Sequence, residues 1–562
     1  MQNLVLLDWI VIFVYFGFIA YIVWWSSRQQ KTAEDYFLAG RDIGWFAIGG
    51  SLFASNIGSE HIVGLAGQGA STGLAMAHWE LHAWVLVMLA WVFVPYYYHS
   101  RVFTMPEFLE RRFSPKARWI LSLVSLVAYV FTKVSVTVYA GALVFQTLLP
   151  DAFGSPENAF WVGAVATVVL TGIYTVLGGL RAVIYTDAAQ AVILLIGSIA
   201  ITYFGLDKLG GWGVMKEVCR ENAAGFALWR PLSDPGFPWL GVIIASPIIG
   251  LWYWCTDQYI VQRTLSAKNL TQARRGALFG GFLKLSPVLI FLVPGLMGWA
   301  LHQQGIIHIP TKVLNGATVI NGDQVFPTMV TTLLPAGLRG VVVAGLLAAL
   351  MSSLSALFNS AASLYTVDVH EKLWPGASQE KLVRVGRTAT AVVVLLGLIW
   401  IPVMPMISGG GLYQYLQSVQ SYLAPPIAAV FLLGIFWRRI NARGAVWGLT
   451  TGFILGMLKI TIQAIFGQGK VESPAFLAAV GDFNFLYFAG VLFTLSILVV
   501  IIASLTAPPP TEDQIKGLTF ATRTAKEKQE TRASWNWVDV VATLVVLGGV
   551  LAMYLYFSFW LN

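Results

Sequence analysis

The sequence predicts an all-α polytopic membrane protein with about fourteen transmembrane helices, and three observations carry that prediction. Only 11% of the 562 residues are charged and 57% are hydrophobic, whereas soluble domains average about 25% charged; mean hydropathy is +0.71. Apolar runs of the roughly 20 residues that a bilayer crossing requires recur along the whole chain. Lysines and arginines gather in alternate short loops, as cytoplasmic loops do under the positive-inside rule. The net charge of +8 therefore belongs to membrane topology and not to a nucleic-acid surface. Cys219 and Cys255 form neither a disulfide framework nor a metal-ligand spacing.

In chain order the candidate spans are 5–26, 43–69, 78–98, 119–149, 159–177, 183–206, 238–261, 276–301, 338–369, 382–403, 412–436, 444–466, 483–505 and 537–560. The first contains Asp8 and lacks both a basic leader and a small-residue cleavage site, so it reads as a retained span and not as a signal peptide. With the N-terminus outside, cytoplasmic loops hold twenty-five Lys and Arg and the opposite loops seven. A miscount by one helix would mix those classes, and both termini are expected outside, in a plasma (inner) membrane. The stretch 507–535, with Pro508-Pro509-Pro510 and mixed charges, reads as a solvated linker before an appended last helix.

Ionisable side chains inside a span cost about 3 kcal/mol each on insertion scales and mark function by default. The interior set is Glu60, His61, Glu80, Lys133, Asp187, Asp257 and Lys284. The stretch SLFASNIGSEHIVGLAG at 51–67 concentrates Asn56, Gly58, Ser59, Glu60 and His61 at mid-span. A helix break there frees backbone groups, which membrane proteins tolerate where they line a cavity and which transporters use to hold substrate and ion. Close helix packing through small residues, with His61 satisfied by a neighbour, is the alternative. In 345–363, Ala349, Ser352 and Ser353 share one helical face. Such neutral oxygens suit a monovalent hard cation better than calcium, which takes several carboxylates; helix packing is again the alternative. Lys284 lies nine residues beyond Arg275, roughly 13 Å into the membrane, unless it snorkels back. Lys133 receives no role, Asp257 reads as interfacial, and Asp187 either pairs with Arg181 or serves an ion. Trp252-Tyr253-Trp254, Gln417 and Gln420 supply aromatic faces and amides of the kind that bind a polyol.

These stretches, together with WVFVPYYY, TMPEFLERRF, AVIYTDAAQ, WYWCTDQYIVQRTLSAKNL, LMSSLSALFNSAASLYTVD and SYLAPPIAAVFLLGIFWRRIN, resemble the sodium/glucose cotransporter group of the solute:sodium symporter family over about 5–505. The resemblance implies an inverted-repeat fold of five plus five helices, over 43–206 and 238–436. Around these repeats lie an extra N-terminal helix and loop (1–42), an extracellular loop (207–237), two additional helices (437–506), a cytoplasmic linker (507–536) and a last helix (537–562). It implies a sodium site at the carbonyls of Ala54, Ile57 and Ala349 with the hydroxyls of Ser352 and Ser353. It likewise implies a sugar site at His61, Glu80, Trp254, Lys284 and Gln417. Tyr253, with Asn56 as partner, resembles an inner gate, and Leu65, Trp79 and Tyr413 an outer one. For a second sodium, Asp187 and Ser355 match the pattern, but Ala356 replaces the next hydroxyl.

The expected function is sodium-coupled import of a hexose such as glucose or galactose by alternating access. Gly250 stands where several sugar carriers place a polar residue, Gln420 where a threonine is common, and Glu60 resembles the inositol carriers. Myo-inositol is therefore the second choice, and a non-transporting sensor or leak on the same fold the third. Proton coupling through Asp187 or His61 would show as uptake without sodium. An enzyme is not expected, since the adjacent Glu60 and His61 do not face each other on a helix.

Overall fold

The computed structural model describes residues 4–28, 30–150, 153–314, 317–400, 412–467 and 474–562. Nine helices bear on the site: α1 Leu6–Ser27, α2 Trp45–Asn56, α3 Ser59–Thr72, α4 Pro156–Leu209, α5 Trp239–Gly250, α6 Leu270–Leu283, α7 Leu338–Ser363, α8 Leu412–Phe436 and α9 Trp537–Ser558. Among the described residues the one sheet is an antiparallel hairpin in the loop before α7, Thr311–Leu314 with Ala317–Ile320, pairing Thr311 with Ile320.

Eleven helices among the described residues are long and apolar enough to cross a membrane. They differ from the fourteen expected stretches at three places. The stretches 159–177 and 183–206 merge in α4, a 54-residue helix interrupted at Gly179 (φ 54°, ψ −161°). A Cβ at Gly179 would lie 2.7 Å from the Tyr36 carbonyl oxygen, so only glycine fits this kink. The stretch 78–98 and the end of 43–69 fall within one helical length from His61 to Ser100, the start of 43–69 forms the separate 12-residue helix α2, and 119–149 is represented by the shorter apolar helix Ser135–Leu148.

Helix α7 forms the centre of the molecule, packed among α1, α2 and α4. The rims of α1 and α9 carry exposed apolar side chains such as Phe13, Val14, Leu544 and Leu551, as lipid-facing helices should. Helix α7 is tied at both ends. At its start, Asp8 Oδ1 on α1 accepts from the backbone N–H groups of Gly337 (2.7 Å) and Gly340 (3.0 Å), with Arg339 Nη2 3.6 Å from its Oδ2. The carboxylate thus caps the N-terminus of another helix, where orphan donors and the helix dipole favour negative charge. Beyond its C-terminus, Asp368 accepts from Arg118 Nε (2.6 Å) and Thr104 Oγ1 (2.8 Å), and Arg118 also bonds Glu110.

The segment after Ala507 departs from the expected solvated linker. It forms short helices at Glu512–Ile515 and Ala525–Ala533 and buries Ile515 and Thr519. Thr271 Oγ1 donates to the Ser534 carbonyl (2.9 Å), and Arg275 holds Asp539 at 2.8 Å. Polar anchors of this kind leave no apolar periodicity in the sequence, which is why the docking was not legible there.

Candidate functional site

The mid-span polar cluster breaks its helix. In α2 the last helical bond runs from Ile57 N–H to the Phe53 carbonyl (3.1 Å), and Gly58 is extended at φ −87°, ψ 178° before α3 begins. Asparagine, glycine and serine favour this interruption over continued helix. The carbonyls of Ala54 and Ile57 thereby leave the helical ladder. Facing the break, Ala349, Ser352 and Ser353 of α7 are fully buried. Ser353 Oγ donates to the Ser55 carbonyl at 3.2 Å, and Ser352 Oγ to Asp187 Oδ1 at 2.7 Å. The side chains of Glu60 and Tyr413 lie outside the described residues.

Asp187 pairs with Arg263 and not with the expected Arg181. Its carboxylate accepts from the hydroxyls of Ser51 (2.7 Å) and Ser55 (2.9 Å) and from Arg263 Nη2 (3.4 Å). Arg181 instead lies over the Trp25 ring, and Ser355 Oγ donates to the Ser352 carbonyl (2.9 Å). Asp187 and Arg263 are 76 residues apart in sequence, so only the tertiary fold shows the pairing.

Next to the break, the expected sugar-site residues come together. His61, Glu80, Trp254, Lys284 and Gln417 all line one cavity, with Asn56, Trp79 and Tyr253. Lys284 does not snorkel: its Nζ donates to Glu80 Oε2 and Asn56 Oδ1, both at 2.6 Å, and lies 5.6 Å from the centre of the Trp254 ring. His61 Nε2 is 4.0 Å from Glu80 Oε1. Asn56 Nδ2 in turn donates to the Tyr253 hydroxyl at 3.1 Å, joining the broken helix to the proposed inner gate. Two buried polar atoms, Gln417 Oε1 and Trp79 Nε1, meet no hydrogen-bond partner among the described residues, which buried polar groups avoid unless a ligand or water serves them. Trp79 packs edge-on against Phe237, with ring centres 6.1 Å apart. Leu65 is fully buried but does not line the cavity.

The sequence reading missed several cavity residues. Lys133, given no role, lines the cavity and is paired at 2.5 Å with the buried Asp257 beside it. Lys133 Nζ also sits about 5 Å from the rings of Tyr129, Trp252, Tyr253 and Tyr259. Lys133 lies in the π-helical segment Tyr129–Val134, and Tyr253 and Trp254 in another, Leu251–Thr256. Such wide turns recur at functional sites. His82 also lines the cavity, and a count of ionisable mid-span residues extended to all histidines would have included it.

A broken helix opposite two buried serines, beside a polar cavity at mid-membrane, defines a secondary transporter that couples an ion to a small solute. The chain belongs to the sodium:solute symporter family, which matches residues 36–452; it is a sodium-coupled symporter and not an enzyme. It is 39% identical over 542 residues to Sodium/myo-inositol cotransporter 2 of Homo sapiens, covering 92% of this chain and 79% of that one. To Sodium/glucose cotransporter 4 of Danio rerio it is 38% identical over 549 residues, covering 93% and 82%. A solved outward-open structure of a Na+-coupled sialic acid symporter superposes with a TM-score of 0.74 at 22% identity, covering 90% of this chain and 99% of that one. That likeness establishes the expected inverted-repeat transporter fold.

Proposed function

We propose that this symporter imports a hexose such as glucose or galactose, with myo-inositol as the second reading. The observation that carries the proposal is the cavity chemistry. A carboxylate, an ammonium, an imidazole and an amide with a spare acceptor surround the Trp254 ring. Aromatic faces take the apolar face of a sugar, while charged and amide groups take its hydroxyls. Relatives named for both glucose and myo-inositol match equally well, which keeps the second reading in view.

In this reading sodium binds between α2 and α7, held by the carbonyls of Ala54, Ile57 and Ala349 and the hydroxyls of Ser352 and Ser353. Both hydroxyl protons are directed away, toward Asp187 and the Ser55 carbonyl, which leaves oxygen lone pairs for a cation. Asp187 already has three hydroxyls and Arg263. That arrangement favours one sodium per cycle over a second ion at Asp187 and Ser355. Sodium drawing the broken helix against α7 orders Asn56 and His61, which face the sugar. The Trp79 side then closes, the Asn56–Tyr253 bond yields, and both solutes leave inward. A monovalent cation crossing 100 mV supplies about 2.3 kcal/mol for this. We place the protein in a plasma (inner) membrane with both termini outside.

The experiment is uptake of radiolabelled glucose into proteoliposomes with and without an inward sodium gradient, with galactose, mannose and myo-inositol as competitors. Sodium-driven accumulation that needs about tenfold more sodium in Ser353→Ala supports the reading. Strong inositol uptake without glucose uptake moves the substrate, and no sodium-driven uptake of any of the four refutes the proposal.

A further inference from the structure

We propose that His82 is a specificity-determining residue of the cavity, that its imidazole Nδ1 hydrogen-bonds one substrate hydroxyl, and that Gly250 is glycine to admit the ring. The inference rests on the sugar or polyol reading above and deepens it.

His82 is buried and lines the cavity two residues after Glu80. A Cβ built on Gly250 would lie 3.1 Å from Cε1 and Nε2 of His82 and 3.2 Å from Nδ1. Near-equal distances to three ring atoms mean that the imidazole covers Gly250 with its face and keeps its edge atoms for hydrogen bonding. Contacts that short are tighter than most carbons make, so a side chain at position 250 would press the imidazole out of this pose by a few tenths of an ångström.

One edge of the ring is anchored. Nε2 lies 2.8 Å from Ser246 Oγ, one helical turn before Gly250 on α5, and that hydroxyl points to the His78 carbonyl at 3.5 Å. The 2.8 Å contact engages Nε2 with the hydroxyl and leaves the Nδ1 edge to hydrogen-bond elsewhere, as donor or acceptor according to the tautomer. Among the described residues Nδ1 has no hydrogen-bond partner. Helix α5 thus supplies a slot at Gly250 and an anchor at Ser246 that together set the Nδ1 edge of His82 toward the cavity. The ligand this selects is an uncharged cyclic polyol with a hydroxyl on the edge facing α5. An analogue lacking that hydroxyl leaves Nδ1 unpaired and is rejected, the strong direction of polar discrimination.

The test is sodium-driven uptake in proteoliposomes by wild type, His82→Asn, His82→Gln and Gly250→Ser, with the monodeoxy analogues of the better-transported of glucose and myo-inositol as competitors. Asparagine places a hydrogen-bonding amide near the Nδ1 position without the Ser246 anchor, whereas glutamine reaches Ser246 and leaves the Nδ1 position without a polar group. Wild type should compete roughly tenfold more weakly with one particular deoxy analogue than with the parent, a single hydrogen bond's worth. That penalty should vanish in His82→Gln, persist at least in part in His82→Asn, and leave the penalties of the other analogues unchanged. Gly250→Ser should lose the same selectivity, because its side chain displaces the ring. Unchanged selectivity in His82→Gln, or an equal loss for every analogue, overturns the inference while the symporter reading stands. If His82→Gln does not fold, selectivity retained in Gly250→Ser overturns it equally. Wild type that takes up none of these solutes on a sodium gradient overturns the sugar and polyol reading itself and the inference with it.

Discussion

Replacing Lys284 by methionine removes the ammonium and keeps the volume, leaving Glu80 and Asn56 without their donor. At 2.6 Å the gross attraction to Glu80 is about 6 kcal/mol at an effective dielectric of 20. Desolvation of two buried charges cancels most of that, so the pair contributes little net stability. Removing one partner is different: an orphaned buried carboxylate costs about 3–5 kcal/mol. The order of effects therefore separates stability from binding. Lys284→Met and Glu80→Gln should each abolish measurable uptake or raise KM more than tenfold, since hydrogen bonds to charged groups are worth about 1.5–3 kcal/mol. Lys284→Met should also lower the thermal unfolding midpoint in detergent, and adding Glu80→Gln should restore much of it without restoring transport. The assays are labelled-sugar uptake and the temperature dependence of the monodisperse peak on size-exclusion chromatography. A double variant less stable than Lys284→Met, or Lys284→Met with wild-type KM, would refute the reasoning.

Ser353→Ala should raise the sodium concentration for half-maximal uptake by about tenfold, the loss of one oxygen ligand, with little change in the KM for sugar at saturating sodium; uptake at graded sodium checks it. Tyr253→Phe removes the hydroxyl that Asn56 reaches and should speed sodium-free efflux of preloaded sugar about two- to tenfold, as expected for one neutral hydrogen bond. Asp8→Asn should cost about 1 kcal/mol through its weakened cap on α7, seen as a lower unfolding midpoint, while the substrate preference order is unchanged. Asp257→Asn leaves Lys133 ringed by four aromatic faces, and Lys133→Met leaves Asp257 its bonds from the Tyr129 hydroxyl and the Tyr259 N–H, so each should cost less than the roughly 3–5 kcal/mol of a fully orphaned buried charge; paired unfolding midpoints check it.

Much of this was legible in sequence because the bilayer makes it so. Apolar length marks spans, and every polar residue within a span must have a reason. Asn56, His61, Glu80 and Lys284 were visible for that reason alone, and Gln417 and Trp254 as residue types suited to a polyol. What remained hidden was partnership. Lys133 meets Asp257 across 124 residues, and Asp187 meets Arg263 although Arg181 lies nearer in sequence. His82 escaped notice because its significance depends on a missing Cβ at Gly250, on another helix. An absent atom leaves no mark in hydropathy or spacing. The merged spans of α4 show the same limit: Gly179 kinks the helix because of the Tyr36 carbonyl behind it, which no local pattern reports.

Helix α7, tethered by Asp8 at its outer end and continuing to Asp368 and Arg118 at the other, gives the machine its stator. An ion seated between a clamped rod and a helix already severed at Gly58 meets two walls of very different compliance, and the work it does goes into the softer one. Motion would begin in the severed α2–α3 unit, which carries Asn56 and His61, while the serines stay in place. A chain that lost either clamp would still hold its ligands, yet part of the push from the sodium gradient would go into moving the rod. Such a protein would bind normally and pump poorly, with a leak in proportion to the slack.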